Sequence, residues 1–377
     1  MIEKKLYPLR FIPTPSVRVW GGNSLINELG KSFVEKAEDG SERKLTTKDK
    51  IAESWEIADM GALAESVVEN GYLKGNTIED LMGVYFDRLV GEHVYNRFGS
   101  QFPLLIKYLD ICDRLSFQVH PDDEIGATRY DSLGKTEMWY IVDADDKATL
   151  YMGFNKAIDG GILYDKCHKG TILEDVNTVH PKKGDVIFIK PGTVHAANGH
   201  ILVAEIQESS DLTFRLYDWG REFDPKTARK MHLEEAMDFI DYEPYKWENY
   251  HKAEEFADKT KVAKTLVDCP HFKVSKLDIT SPIRVRPEDY DSFIVYMCLE
   301  GKVSIQVPEV NSKGETTTDN YILEKGQVIL IPAEIENFVI VPMEKESTLI
   351  EAYVPETEED RVATEYIEEN IDFKINE

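Results

Sequence analysis

Hydrophobic and polar residues alternate in short runs along two stretches of this chain, from Leu115 to Trp219 and from Phe272 to Pro355. Turn signals such as Lys183-Gly184-Asp185 and Asn198-Gly199 separate the runs. Short strands at this spacing are typical of a β-sandwich or a β-barrel. The pattern therefore predicts a mainly β protein with two β regions.

Three further elements are predicted ahead of the first β region. Ser54 to Ile57 has the pattern of a short strand, and Phe102 to Leu109 is mostly apolar, as in a strand buried on both faces. Thr77 can cap a helix whose apolar residues continue at helical spacing to Leu89, with two acidic residues in its first turn. The N-terminal part of the chain therefore adds helical segments to the β regions.

Residues 225–264, between the β regions, have a different composition. They are highly charged, and their apolar residues Met231, Ala236 and Phe239 recur at helical spacing. A chain of 377 residues also exceeds the usual size of one domain. We therefore predict an N-terminal catalytic domain over 1–224, a helical connector over 225–264 and a second β domain over 265–377. The acidic tail from Glu356 onward is predicted to be helical or frayed.

A weak internal repeat links the two β regions. The run Gly184 to Ile189 resembles the run Gly326 to Ile331, and both read Gly-x-Val-Ile at their start. Eleven residues beyond each glycine lie His195 and Asn337. The repeat favours two related β-barrels with a metal-binding histidine in the first only. Chance recurrence of Gly-x-Val-Ile in β proteins is the alternative.

Three short segments supply side chains suited to a divalent cation. The period of two places Ser116, Gln118 and His120 on one face of a predicted strand. Glu137 lies at the mouth of the next apolar run, and His195 follows a Pro-Gly-Thr turn that can direct it inward. Two imidazoles, a carboxylate and an amide oxygen suit Zn²⁺, with Mn²⁺, Fe²⁺ and Co²⁺ as competitors. For each histidine taken alone, a hydrogen-bonded core position is the alternative.

Polar side chains near this predicted centre suit an anionic substrate. Arg215 lies on a polar strand face, from which it can bind a phosphate bidentately or stabilise an oxyanion. Lys135 is a second candidate cation, and Ser116 a candidate hydrogen-bond donor. Asp218 is a candidate to orient Arg215 or to act as a base. A surface salt bridge is the alternative for these charges, and it fits Arg221 better than Arg215.

The net charge of −26 limits the classes of partner. Nucleic acids and anionic membranes repel such a chain, so neither is expected to bind it. A small anionic substrate would have to be held by local cations. No apolar run approaches the ~20 residues of a membrane span, and no apolar leader is visible, so we expect a cytoplasmic protein.

In these motifs the chain resembles the type I mannose-6-phosphate isomerases of the cupin superfamily, most of all the short bacterial form. The matching motifs run in consistent order through most of the first 220 residues, and their combination is highly specific. They are Val19 to Gly22, Glu53 to Glu56, Phe102 to Lys107, Leu115 to Asp123, Lys135 to Met138, Pro191 to Ala196 and Arg215 to Asp218. The longer eukaryotic form has an extended helical insertion, whereas this chain has only the short helical stretch near Thr77.

The resemblance implies a cupin fold, here two cupin-like jelly-roll barrels of which the second is degenerate. It also implies zinc dependence and interconversion of mannose 6-phosphate and fructose 6-phosphate through a cis-enediol. The family's firm metal ligands fall on His120, Glu137 and His195, with Gln118 as a fourth. Its active-site arginine falls on Arg215.

Several roles stay open on the sequence alone. The base that moves the proton can be Lys135, Asp218 or a hydroxide on the metal. Ser116, Lys135, Asp218 and Arg215 are the expected contacts of the substrate and its phosphate. The oligomeric state is open between a monomer and a homodimer.

Two other functions fit parts of the pattern. An iron-dependent cupin dioxygenase can use the same His120, Glu137 and His195, but Arg215 and Lys135 favour an anionic substrate. A non-catalytic sugar-binding cupin is disfavoured because the ligand set is complete in the first barrel.

Overall fold

The computed structural model describes residues 4–36, 40–226, 228–258, 260–310 and 314–362. It is mainly β, as the sequence predicted. The strands of the first half of the chain are β1 Thr14–Gly22, β2 Val34–Lys36, β3 Glu42–Lys44, β4 Ile51–Ile57, β5 Leu104–Ile111, β6 Phe117–Val119, β7 Glu137–Ala144, β8 Thr149–Phe154, β9 Val176–Val179, β10 Val186–Ile189, β11 His195–Asn198, β12 Ile201–Glu208, β13 Phe214–Tyr217 and β14 Tyr250–His251. Those that follow are β15 Ala263–Asp268, β16 Lys273–Ile279, β17 Ile283–Val285, β18 Ile294–Glu300, β19 Lys302–Val310, β20 Thr316–Glu324, β21 Val328–Ile331, β22 Phe338–Pro342 and β23 Ser347–Tyr353.

The helices are short. The α-helices are α1 Ser24–Asn27, α2 Ile78–Tyr85, α3 Asp87–Val90, α4 Glu92–Phe98, α5 Asp123–Tyr130, α6 Gly160–Lys169 and α7 Leu233–Ala236. Turns of 3-10 helix cover Ile172–Asp175, Arg221–Phe223, Trp247–Asn249, Ala253–Phe256 and Pro287–Asp289.

The described residues form two compact units that alternate along the chain. The first unit comprises Pro13–Met60 and Leu104–Ala257, and the second comprises Met1–Ile12, Gly61–Pro103 and Asp258–Glu377. The sequence predicted successive segments instead, with boundaries near residues 224 and 264. The N-terminal residues belong to the second unit because Leu9 pairs with Leu330 of β21 through two backbone hydrogen bonds.

Two large antiparallel sheets build most of the first unit, which also contains the β2-β3 hairpin. The larger sheet has the strand order β1-β4-β5-β12-β7-β10-β14, and the smaller has the order β13-β6-β11-β8-β9. One apolar cluster of this unit surrounds Trp139 and Ile187, and another surrounds Phe117 and Phe154. Each sheet thus has a buried apolar side, which fixes the register of its strands.

The second unit repeats the strand order of the first. Its sheets have the orders β15-β16-β23-β18-β21 and β17-β22-β19-β20. If β4 to β12 are matched in chain order with β15 to β23, every neighbour relation among these nine strands recurs. The Gly-x-Val-Ile runs lie at equivalent places, because Gly184 precedes β10 with φ of 90° and Gly326 precedes β21 with φ of 83°. The repeat seen in the sequence is therefore structural.

The register of the repeat shows which residues replace the predicted ligands in the second unit. Ile189 of β10 pairs with Glu137, whereas the equivalent Ile331 of β21 pairs with Ile294. His195, the first residue of β11, pairs with Gln118. The equivalent first residue of β22 is Phe338, which pairs with Val285. Apolar side chains thus occupy the places of all three polar ones.

This register corrects the predicted counterpart of His195, which was Asn337. Counting from the glycines was off by one residue, because the loop between β10 and β11 has five residues and the loop between β21 and β22 has six. The structure places Phe338 at the strand start, where its side chain is fully buried. The expectation that the second copy lacks the histidine is confirmed.

The smaller predictions have mixed outcomes. Ser54 to Ile57 lies in β4, and all eight residues of β5 are buried, as predicted. Thr77 caps α2 in a capping box with Asp80, but the helix ends at Tyr85 rather than continuing to Leu89. The break occurs at Phe86, whose φ of 49° is incompatible with a right-handed helix.

The predicted helical connector over 225–264 is helical only in short turns, because apolar spacing alone does not sustain a helix without buried length. The acidic tail is helical at Glu358 to Val362, and its remainder lies outside the described residues. Among the described residues, no helix has the length and apolar character needed to cross a membrane.

We expect Phe338→Ala to lower the free energy of unfolding by about 3–5 kcal/mol, since it empties a buried aromatic site. Urea unfolding measures this change. Phe338 belongs to the second unit, in which apolar residues occupy the places of the predicted metal ligands. The metal content should therefore not change. Met343→Ala is the control, with an expected effect within about 0.5 kcal/mol, since Met343 is 51% exposed. A loss of bound metal in Phe338→Ala would contradict the apolar role of this position.

Candidate metal centre and substrate cavity

Three buried side chains of the first unit converge as the sequence predicted. His120, Glu137 and His195 each offer a ligand atom, and these atoms lie within 4.8 Å of one another. The Nε2 atom of His120 is 3.5 Å from one carboxylate oxygen of Glu137, and Nε2 of His195 is 3.2 Å from the other. All three side chains are at most 1% exposed.

Strand pairing explains why residues so distant in sequence meet. Glu137 and His195 are the first residues of β7 and β11, and His120 directly follows β6, which pairs with β11. The turn before β11 is fixed to the first histidine segment, since the Gly192 N–H donates to the His120 carbonyl at 2.9 Å. Gly192 has φ of 80°, and a Cβ there would lie 2.8 Å from the Phe239 carbonyl oxygen, so this position requires glycine.

Hydrogen bonds to backbone carbonyls set the tautomer of both histidines. Nδ1 of His120 donates to the Leu212 carbonyl at 2.8 Å, and Nδ1 of His195 donates to the Thr193 carbonyl at 3.0 Å. A carbonyl can only accept, so Nδ1 carries the proton and the Nε2 lone pairs face Glu137. Carbonyl partners of this kind orient the histidine ligands of metal sites.

The arrangement fits a divalent cation. Neither carboxylate oxygen of Glu137 accepts a well-aligned hydrogen bond, although the group is fully buried. Two imidazole lone pairs facing a carboxylate repel it unless a cation lies between them. Two nitrogens and a carboxylate are a donor set that zinc and other divalent transition metals accept.

The protonation of the ligands also suits metal binding. Burial, together with the charge of Lys135, lowers the pKa of the His120 imidazole to about 3. Burial by itself would raise the pKa of the Glu137 carboxyl, but the Lys135 ammonium 3.2 Å away holds it well below its usual value. At neutral pH the centre therefore presents a neutral imidazole and an ionised carboxylate.

Gln118, Ser116 and Lys135 also lie close to the centre. The Gln118 amide nitrogen is 3.3 Å from Nε2 of His195, and its oxygen accepts a hydrogen bond from Ser116. The Gln118 amide would have to rotate for its oxygen to face a cation bound by the three side chains. Ser116 is buried and does not line the cavity described below, and Lys135 contacts His120 and Glu137 directly. Lys135 is thus placed at the metal end of the site.

A cavity of about 450 Å³ lies in the first unit beside these ligands. Its walls carry many charged groups, which is unusual for a small-molecule pocket. They include Arg18, Glu53, Lys107, Lys135, Glu205, Asp211, Arg215, Arg229, Lys230 and Glu235, together with Gln118, Trp20 and Trp139. A polar or charged ligand suits such a cavity.

Lys107 and Glu205 are cavity residues that the sequence prediction missed. They face each other across paired strands β5 and β12, with the Lys107 ammonium 3.0 Å from a Glu205 oxygen. The other Glu205 oxygen accepts the indole N–H of Trp139 at 2.7 Å. The available signal was one charged residue inside each of two long apolar runs, Leu-Leu-Ile-Lys-Tyr-Leu and Ile-Leu-Val-Ala-Glu-Ile.

These two groups differ in protonation. Burial is the main influence on both, and it raises the pKa of the Glu205 carboxyl despite the neighbouring Lys107 charge. For Lys107 burial works in the opposite direction, but the charges of Glu205 and Glu53 outweigh it, so its pKa is raised. Lys107 therefore remains an ammonium at neutral pH, and the pKa of the Glu205 carboxyl lies above that of an exposed glutamate.

Arg215 and Asp218 have different places at the cavity. Arg215 lines it, as predicted, and its guanidinium donates to the Lys230 carbonyl at 2.8 Å. Asp218 does not line it: its carboxylate is fully buried and accepts hydrogen bonds from Arg221 and Arg229. Because these guanidinium groups neutralise it and no water reaches it, the predicted roles of Asp218 as base and substrate contact are not supported by this placement.

His120→Ala should remove one of the three ligands and abolish retention of the metal, while the second unit stays folded. Metal analysis of the purified variant after desalting measures this loss. His180→Ala is the control, because His180 bonds only to the Ala148 carbonyl and lies outside the cluster. Normal metal content in His120→Ala would contradict the ligand assignment.

Comparison with known protein families gives a consistent result. Residues 9–152 match the model of the phosphomannose isomerase type I catalytic domain. Mannose-6-phosphate isomerase ManA of Bacillus subtilis is 29% identical over 335 residues, which cover 88% of this chain and 95% of that protein. The protein named Probable mannose-6-phosphate isomerase GmuF of the same organism is 34% identical over 235 residues, covering 62% of this chain and 68% of that protein.

Solved structures agree with these relatives. The mannose 6-phosphate isomerase from Bacillus subtilis matches with a TM-score of 0.72 and 26% identity, over 92% of this chain and 99% of the other. A mutant of the phosphomannose isomerase from Salmonella typhimurium matches with a TM-score of 0.71 over 93% of this chain and 100% of the other. At 15% identity this second match shows a shared fold.

Proposed function

This chain belongs to the mannose-6-phosphate isomerase family, and on that premise we propose that it interconverts mannose 6-phosphate and fructose 6-phosphate through a cis-enediolate. The observation that carries the proposal is a buried centre of two imidazoles and a carboxylate beside a cavity that contains a proton-exchanging carboxyl and several cations. An aldose–ketose isomerase needs these parts, because it must polarise a carbonyl, move a proton and hold an anion.

His120, Glu137 and His195 would hold the metal, with the amide of Gln118 as a fourth ligand if it rotates. We propose zinc, since it accepts this donor set in tetrahedral sites that keep a position open. When bound, it would act as a Lewis acid that polarises the sugar carbonyl. Mn²⁺, Fe²⁺ and Co²⁺ remain the substitutes.

Glu205 is the group that we assign to proton transfer between C1 and C2. Its raised pKa moves it towards the working pH, which favours a carboxylate that both accepts and returns a proton. The hydrogen bond from Trp139 and the ion pair with Lys107 fix both oxygens of this carboxylate. Lys107, which stays protonated, is placed to donate to a sugar oxygen as negative charge develops.

Arg215 and Lys135 keep their predicted roles in this proposal. Arg215 would bind the phosphate, since it lines the cavity and its Nε has no hydrogen-bond partner among the described residues. Lys135, at the metal end, would stabilise the enediolate rather than the phosphate. Ser116 would act indirectly, by holding the amide of Gln118.

The finer features of the fold and the location belong to the same proposal. We propose that each unit is a cupin-like barrel, the second degenerate, because nine strands recur in the same order and the second set carries apolar residues at the ligand positions. The cytoplasmic location and the choice between monomer and homodimer stay predictions. The dioxygenase and the non-catalytic cupin are disfavoured by the family membership.

A coupled assay of fructose 6-phosphate formation from mannose 6-phosphate tests the function. We expect activity in the purified protein, loss of activity after chelation and recovery when Zn²⁺ is added back. Iron content and oxygen consumption, measured in parallel, test the dioxygenase. Absence of isomerase activity in every metal-loaded state would refute the proposed reaction.

The pH profile tests the assignment of Glu205. A base must be deprotonated, so activity should fall as the pH drops through its pKa. Lys107 lowers this pKa, and Lys107→Met should therefore move the acid limb of kcat/KM to higher pH, by about one unit for each 1.4 kcal/mol of lost interaction. Lys147→Met, at an exposed position, is the control. An unchanged acid limb in Lys107→Met would remove Glu205 from proton transfer.

A further inference from the structure

Arg215 is a cavity cation whose guanidinium forms no direct ion pair within the described part of the chain, although the charges of Asp218 and Asp211 act on it. The guanidinium donates there to a neutral carbonyl, that of Lys230, and its Nε has no partner among the described residues. Burial, and next the charge of Arg229, lower the pKa of the Arg215 guanidinium to about 10. Arg215 and Arg229 thus bring like charges to the wall of one cavity, which an added anion would offset.

Arg229 owes its position to Asp218. Its Nε and one terminal nitrogen grip the two oxygens of that carboxylate at 3.1 and 2.6 Å, the fork geometry of a strong pair. Arg221 binds the same carboxylate at 2.6 Å. Of these two arginines, Arg229 lines the cavity, whereas Arg221 is not among the lining residues.

The turn that holds Asp218 is tightly constrained. Trp219 adopts φ of 62°, a left-handed conformation that is costly for a bulky residue, and Gly220 follows with φ of 85°. The indole N–H of Trp219 donates to the Leu115 carbonyl at 2.7 Å, and Arg114 lies over the ring. Strain of this kind persists where the surroundings fix the conformation, often at functional sites.

The charges leave an excess of positive charge at this end of the cavity. Asp218 contributes one negative charge against the two arginines that bind it, and Arg215 adds a third cation. Lys230 is already paired with Glu235 at 3.1 Å, and Asp211 is the other carboxylate nearby. Counting Asp211, one positive charge remains at this end, and an added phosphate monoester, with a charge of about −1.5 to −2 at neutral pH, would offset it.

We propose that Arg229 is the residue that selects a phosphorylated sugar, and that Asp218 is the positioning residue which aims its guanidinium into the cavity beside Arg215. This inference rests on the proposed function, and it adds a specificity determinant from a segment that the sequence treated as a connector. Arg229 contacts the substrate phosphate, and Asp218 acts through it.

The test compares Arg229→Gln with the wild-type enzyme. Losing a charge-assisted contact to phosphate should raise KM for mannose 6-phosphate on the order of 10- to 100-fold, with kcat changed by less than about threefold. Inorganic phosphate should become a weaker competitive inhibitor by a similar factor. The metal content should stay as in the wild type.

Two further variants distinguish an effect on the Arg229 guanidinium from a general folding defect. Arg221→Gln removes the other partner of Asp218 outside the cavity, so KM for the phosphorylated substrate should stay within about threefold of wild type. Arg229→Lys keeps the positive charge but lacks the two-nitrogen geometry of a guanidinium. It should recover part of the affinity for the phosphorylated substrate that Arg229→Gln loses. Equal KM values in Arg229→Gln and wild type, or a loss of kcat with KM unchanged, would overturn the inference.

A failure of the proposed function can be told apart from a failure of this inference. If the wild-type protein shows no isomerase activity, binding of inorganic phosphate is measured by calorimetry in wild type and Arg229→Gln. Weaker binding in the variant would still support the anion subsite. Identical binding would refute it independently of the reaction.

Discussion

The buried carboxylate of Glu137 is the constraint on which the first unit depends. Removing such a group from water costs several kcal/mol, and the two imidazoles beside it offer lone pairs rather than protons. The strands nevertheless bring these three groups together, and carbonyl hydrogen bonds fix the rings in the unfavourable orientation. The Lys135 ammonium, 3.2 Å from Glu137, offsets part of this cost, and a divalent cation among the three groups would offset more, so we interpret the centre as a functional feature retained against its cost to folding.

The second unit shows what the same strand order looks like without that constraint. Ile294 and Phe338 occupy the places of Glu137 and His195, and the ring of Phe338 packs edge-on against Tyr296 as that of His195 packs against Trp139. The buried glutamate on the strand that pairs with each of these aromatic residues is also repeated. Glu351 accepts the hydroxyl of Tyr296, as Glu205 accepts the indole of Trp139. The ligands have been replaced, and Ser275 takes the place of Lys107 opposite this glutamate, so the strand order is retained without these polar groups.

The sequence was sufficient to identify the buried cluster of His120, Glu137 and His195 but not all residues of the cavity. The three ligands could be found because each follows a local signal, a turn or a strand mouth beside an apolar run. Glu205 and Lys107 could not be paired in advance, because their contact depends on β12 lying between β5 and β7, which local periodicity does not encode. The burial of Asp218 was missed for the same reason, since Arg229 reaches it from a segment without regular structure.

The overall acidity and the cationic cavity are compatible once distance is considered. Charges on the surface are screened by salt within about 8–10 Å, so the net charge of −26 has little influence inside a buried site. Within the cavity the effective dielectric constant is lower, and two unit charges 4 Å apart interact by about 4 kcal/mol. A few fixed cations therefore decide what binds there. The net acidity makes polyanions such as nucleic acids unfavourable partners on electrostatic grounds, while in the proposed function Arg215 and Arg229 bind one small phosphate.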